Sequence, residues 1–215
     1  MTAAPAPAPP GLGFALTVPA SWFELDLRPA TRDAAIRSLV EERVRDQPEL
    51  ADQRAAIVRI LRRQARQAWE SGALYCACMV EPTDEGPITA AVTVGVVHGP
   101  LDAPSGGDRL APLLERLHPR PATGPDDPWT RVEVVTVEGA GECARTAGVE
   151  DVDLPDGAGW VRTVLLQTFV PVPGSRSVVL LTCSSPVLPL ADVLLDLFDA
   201  VSSTFRLQAA PGREG

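Results

Sequence analysis

Hydrophobic and polar residues alternate with two different periods along this chain, and the places where the period changes mark its elements. From Thr31 the apolar positions Ala35, Ile36, Leu39, Val40 and Val44 recur at three- and four-residue spacing, which predicts a helix that Thr31 can cap. A second helix follows in PELADQRAAIVRILRRQARQAWESG. There Ala56, Ile57, Ile60, Leu61, Ala65, Ala68 and Trp69 form one apolar stripe, and Gly72 supplies the stop. After Gly72 the period shortens to two. Residues 73 to 82 and 87 to 98 read as strands joined by the turn-like PTDEGP, an antiparallel hairpin.

The rest of the chain follows the same logic. FALTVPASWFELDL gives strand-like residues around a Pro-Ala-Ser-Trp turn, with the folded part starting at Phe14. SGGDRLAPLLERLHP predicts a short helix entered at Asp108, with Leu110, Leu113, Leu114 and Leu117 inward. RVEVVTVE, a shorter piece around ECARTA, WVRTVLLQTFVPV and RSVVLLTCSS read as four strands, the last two linked by VPGSR. In PLADVLLDLFDAVSSTFRL, Leu190, Val193, Leu194, Leu197, Phe198 and Val201 share a helical face, with Pro189 in the first turn. Consecutive strands on short turns imply an α+β domain: an antiparallel sheet of six to seven strands covered by helices, sandwich-like in the α/β/α sense. One domain is expected over 13 to 207, flanked by disordered tails at 1 to 12, where Ala alternates with Pro, and at 208 to 215.

Composition narrows the function classes. All 19 basic residues are arginine, so Schiff-base lysine chemistry and the phosphate-binding lysine of a Walker motif are absent. A net charge of −9 argues against a sequence-independent nucleic-acid binder. No apolar run reaches membrane-spanning length, and the N-terminus lacks the basic and apolar parts of a secretory signal, so the expected location is the cytoplasm. Charge is uneven, however. Between Arg32 and Glu70 nine arginines face seven acidic residues, leaving this segment at +2 and the remainder at −11.

Four constellations invite a chemical reading. Cys76 and Cys78 stand one residue apart, but strand geometry puts them on the face of Leu74 and Val80, with Tyr75, Ala77 and Met79 opposite. Cys143 and Cys183 are isolated. Zinc wants wider spacers and four ligands, so buried free thiols at the centre of the sheet are expected, and no metal or cofactor. Gly139-x-Gly141-x-x-Ala144 after a strand imitates a dinucleotide fingerprint, but no helix of several turns fits before Gly148 and Pro155; a hairpin turn is expected. Glu150, Asp151, Asp153 and Asp156 imitate a calcium loop, yet the third acid is one position late and Arg162 stands where a bidentate glutamate belongs. His98 with Asp102 is an acid/base pair by proximity in sequence alone, and on it rests the alternative of a small hydrolase; His118 lies at a helix C-terminus.

The arginines of the second helix are the remaining candidate. Arg59, Arg62, Arg63 and Arg66 cluster within about two turns, more than Asp52 and Glu70 neutralise, and form either a solvated face or a partner-binding surface. Trp22, Trp129 and Trp160 fall near loops or strand ends, and two of them exposed together would mark a binding surface.

Two segments carry a family resemblance. LTVPASWFELDL, and TFVPVPGSRSVVLLTCSSP followed by DLFDAVSSTFRL, resemble the opening strand with Pro and Trp and the closing hairpin and helix of the PsbP-like and Mog-like α/β sandwich superfamily. That superfamily includes mycobacterial LpqN-type proteins. The resemblance covers the first and last quarters of the folded region, and it is shared with actinobacterial proteins associated with type VII secretion neighbourhoods. It implies a non-enzymatic binding or assembly role with another protein as partner, and it assigns no functional residue.

Overall fold

The protein is described by a computed structural model covering residues 12–81, 83, 86–98, 110–124, 127–153 and 159–209. It has the expected α+β architecture. Strands β1 (Leu12–Ala15) and β2 (Phe23–Glu24) precede helices α1 (Arg32–Asp46) and α2 (Arg54–Glu70), which a 3-10 turn over Pro48–Gln53 separates. Then come β3 (Tyr75–Glu81), β4 (Ile88–His98), α3 (Leu110–Leu114), β5 (Trp129–Val137), β6 (Gly141–Asp153), β7 (Trp160–Pro171), β8 (Ser177–Ser185), α4 (Ala191–Ser203) and β9 (Arg206–Ala209). Seven strands form one antiparallel sheet in the order β2-β3-β4-β8-β7-β6-β5, and β1 pairs with β9 in a separate two-stranded ribbon.

Two meanders build that order. β2-β3-β4 and β5-β6-β7-β8 each run by antiparallel neighbours, and the second is placed so that its last strand, β8, seals against β4. The first strand of the second meander, β5, is thereby left on the outside.

Strand alternation sorts side chains between two layers. On one face Cys76, Cys78, Val80 and Ala91 meet Ile36, Val40, Ile57, Leu61, Ala65 and Ala68 of α1 and α2. The sheet contributes small side chains here, which lets the helices come close enough to bury Leu61 and Ile36 completely. Each such side chain contributes about 1.5–3 kcal/mol of hydrophobic stabilisation. On the opposite face Ala77, Val92, Ala147, Val164, Leu166 and Cys183 take Leu194, Leu195, Phe198 and Val201 of α4. Beyond α4 the same face continues under the ribbon, where Phe14 stacks on Phe205 at 5.8 Å and meets Tyr75 edge-on at 6.3 Å.

Several local expectations need correction. Thr31 occupies the N-cap position of α1, but its hydroxyl makes no cap; it donates to Asp26 at 2.6 Å, because Arg28 already holds that carboxylate beside it. The piece around ECARTA is a 13-residue strand, β6, and its middle is buried on both faces. α3 is one turn shorter at its end than expected, its leucines are half-buried, and Asp108 lies outside the described residues. Pro189 sits in a 3-10 turn over Leu188–Leu190 that leads into α4, and not in the helix itself. Gln208 and Ala209, read as part of a tail, close β9 against Gly13 and Leu12. Cys76 and Cys78 lie on the predicted face and are buried and unpaired, but β3 is second from the edge; the central strand is β8.

Candidate functional site

α2 divides cleanly between two roles. Ile57, Leu61, Ala65 and Ala68 are buried against the sheet, and the turns between them put Ala55, Val58, Arg59, Arg62, Arg63, Arg66, Gln67 and Glu70 around a shallow groove on the outside. The spacing that fixes the core stripe therefore also fixes where the arginines go. All four predicted arginines line this one groove.

Their partners differ. The Nε of Arg62 lies 3.4 Å from Asp33 Oδ1, which ties α2 to α1. At the start of α2, Arg54 pairs with Glu41 of α1. Arg59, Arg63 and Arg66 are exposed and form no ion pair with any described residue. Glu70 at the end of the groove is the one carboxylate among its lining residues. The result is a cationic strip about 10 Å long, since Arg59 to Arg66 spans seven residues at about 1.5 Å per residue. On the far side of the sheet α4 carries Asp192, Asp196 and Asp199 on its exposed face, so the two helices present opposite charge in opposite directions.

The other constellations do not assemble a chemical site. Burial pushes the Cys76 thiol up to about 12, and burial together with the neighbouring Cys76 pushes the Cys78 thiol well above its ordinary value. Burial likewise raises Cys143 to about 11 and Cys183 to about 12, with the Arg145 guanidinium pulling weakly the other way. At neutral pH none of the four is a thiolate, the form that attacks or binds metal. Gly139 and Gly141 both have positive φ and form the β5–β6 hairpin turn, after which the chain continues as strand where a pyrophosphate site needs a helix. In the acidic loop Asp151 accepts two hydrogen bonds from Arg162 at 2.6 and 2.8 Å, which hold its carboxyl below the usual range. Glu150 accepts from Thr130 at 3.0 Å. Asp156 lies outside the described residues, as do Asp102 and the side chain of His98, although the His98 backbone pairs with Ser177. Among the described residues no group of three or more His, Cys, Asp or Glu side chains could hold a metal ion.

The tryptophans separate rather than cluster. Trp22 is buried, Trp129 is half-buried against the α4 core, and Trp160 is exposed with the Arg162 guanidinium 5.4 Å above its ring. A second groove, between the β3–β4 turn and the link into α4, is lined by Pro87, Ile88, Pro186, Val187, Pro189 and Leu190 together with Thr83 and Gly86. It presents no charged side chain among its described residues, and the Thr83 hydroxyl donates to the Gly86 carbonyl at 2.6 Å.

One polar cluster escaped the sequence reading. Arg145 of β6 is 4% exposed, yet its Nε donates to Thr168 Oγ1 at 3.1 Å, one Nη pairs with Asp199, and the other donates to Ser202 Oγ at 2.9 Å. The guanidinium thus fastens α4 to two strands of the sheet. The signal was present: Arg145 is the single charged residue in the buried middle of β6, Cys143 to Val149, among otherwise small and apolar side chains.

Comparison with known proteins adds little to this geometry. No protein-family model matches the chain, and no curated protein does. Among solved structures the chain is similar to LpqN, a protein involved in cell envelope biogenesis of Mycobacterium tuberculosis. Identity is 13% across 93% of this chain and 86% of that one, with a TM-score of 0.44. This is a distant likeness of fold, and no residue role follows from it.

Proposed function

We propose that this chain is a non-enzymatic protein-binding domain whose docking surface is the outer face of α2, and that its partner presents a row of acidic side chains. The observation that carries this reading is the set of three exposed arginines, Arg59, Arg63 and Arg66, with no ion pair to a described residue in a chain of net charge −9. Arginine forks bind carboxylates bidentately, and a helix face that repeats them every three to four residues matches an acidic helix or strand. Such an interface forms quickly and weakens as salt rises.

The test is a pull-down at low ionic strength with the wild type beside the triple variant R59E/R63E/R66E, whose folding is checked by circular dichroism. Proteins retained by the wild type, released by salt and lost by the variant are the expected result. An identical set on both baits would remove this surface as the docking site. Arg62, tied to Asp33, is reversed separately and should have the smaller effect on binding.

The proposal extends to a cytoplasmic site of action, where four unpaired thiols persist under reducing conditions; cell fractionation tests it. Its finest form, an assembly role beside type VII secretion machinery, is supported by the sequence resemblance alone, and co-purification with secretion subunits is the deciding measurement.

A further inference from the structure

β5 is an edge strand of the seven-stranded sheet, and beyond the Arg120 bridge at Thr130 no described residue pairs with its outer side. In an antiparallel strand the N–H and C=O of one residue point to the same side, and successive residues alternate. Arg120 and Thr130 exchange both backbone hydrogen bonds at 2.8 Å, which shows that Thr130 points away from β6. By alternation so do Val132, Val134 and Thr136. None of these three makes a backbone hydrogen bond on its outward side to a described residue. Val134 is 47% exposed as well. The strand contains no proline and no lysine, and its two charged residues, Arg131 and Glu133, lie 3.9 Å apart and are neutral as a pair. The opposite edge, β2, is only two residues long.

We propose that β5 pairs with β5 of a second copy of this chain, antiparallel about a two-fold axis at Val134, so that two seven-stranded sheets join edge to edge. The limits of the open stretch select this occupant. It is closed at one end by the Arg120 bridge and at the other by the hairpin turn, where Ala140 donates to Val137 at 3.0 Å. Two-fold pairing at Val134 sets Val132 against the partner's Thr136 and Val134 against the partner's Val134, and it stops short of both obstacles. The three outward residues of each copy then meet those of the other, and the exposed Val134 side chains cover one another. No like charges stand directly opposite, because Glu133 faces the partner's Val135. A shift of the axis to Glu133 would oppose two carboxylates, which disfavours that register. The Ala/Pro-rich residues 1–11 suit this edge poorly, because Pro5, Pro7, Pro9 and Pro10 have no N–H to offer.

This pairing is independent of the α2 surface and responds oppositely to salt. Two copies of charge −9 repel at long range, so added salt strengthens the dimer where it weakens docking on α2. Sedimentation analysis over a concentration series should show a monomer–dimer equilibrium for the wild type. Val134→Pro removes an outward N–H without touching a bond to β6, and should weaken the dimer at least about tenfold. Val134→Cys supplies the register. Directly opposite residues in a hydrogen-bonded antiparallel pair have Cα atoms about 5.5 Å apart, within disulfide range, so mild oxidation should link V134C to itself and leave V132C unlinked. A wild type that stays monomeric at every concentration, or a dimer that persists while V134C fails to cross-link, overturns the proposal.

Discussion

Replacing Ser202 by alanine removes one hydroxyl from α4 and, through it, one of the ties on Arg145. Its Oγ accepts from the Arg145 guanidinium at 2.9 Å, and Ser202 itself is fully buried, so no water replaces the lost acceptor. A hydrogen bond to a charged group contributes about 1.5–3 kcal/mol, and leaving a buried charged donor unpaired puts the cost toward the upper half of that range. Asp199 behaves differently. Its side chain is 56% exposed, so solvent weakens its attraction for the guanidinium, and Asp199→Asn should cost only about 1 kcal/mol. Arg145→Met removes the buried charge together with its need for partners, and Ser202 keeps its own bond to the Asp199 carbonyl at 3.1 Å. Exchange of a buried ion for an apolar side chain of similar length is often close to neutral, so R145M should be less damaging than S202A. Urea denaturation compares midpoints at constant slope. A Ser202→Ala variant within about 0.5 kcal/mol of wild type, or R145M costing more than S202A, would refute the claim that the guanidinium is held by its partners rather than tolerated despite them.

Two further outcomes follow from other clusters. Asp26 accepts hydrogen bonds from the Arg28 guanidinium at 2.9 Å, from Thr31 Oγ1 at 2.6 Å and from the Arg28 amide at 3.0 Å, and these hold its carboxyl well below the usual range. A lowered carboxylate contributes stability in full above its unfolded pKa of about 3.9 and loses it as pH falls toward the folded value, so Asp26→Asn should flatten the acid side of a stability–pH profile and leave neutral pH little changed in slope. Iodoacetamide at neutral pH should leave all four thiols of the native protein unmodified and label all four in denaturant; rapid labelling of the folded chain would contradict their burial and raised pKa values.

The elements that the sequence made legible are those whose signal is local. Ile57, Leu61, Ala65 and Ala68 declare α2 by spacing, and the same spacing locates the arginines on its outer side. Cys76 and Cys78 reveal their face by parity alone. β6 was underread because Ala147, Gly148 and Glu150 look like turn residues; Gly148 is needed there for another reason, since a Cβ would meet the Trp129 carbonyl oxygen at 1.9 Å. β9 was missed because Arg206, Leu207 and Gln208 acquire strand geometry only from β1, nearly the whole chain away. The open edge of β5 was invisible for a related reason. Sequence pattern says that a segment is a strand, while its place in the sheet depends on where the second meander docks.

The β1–β9 ribbon sets how the domain meets mechanical load. Leu12 stands opposite Ala209, so the two ends of the described chain leave side by side. Tension between them does not shear the ribbon's ladder all at once; it peels Leu12 from Ala209, then Gly13 from Gln208, then Phe14 from Leu207, one pairing at a time. Pulled from its ends, the protein yields first at this zipper, with the seven-stranded sheet and its two helical layers still in place.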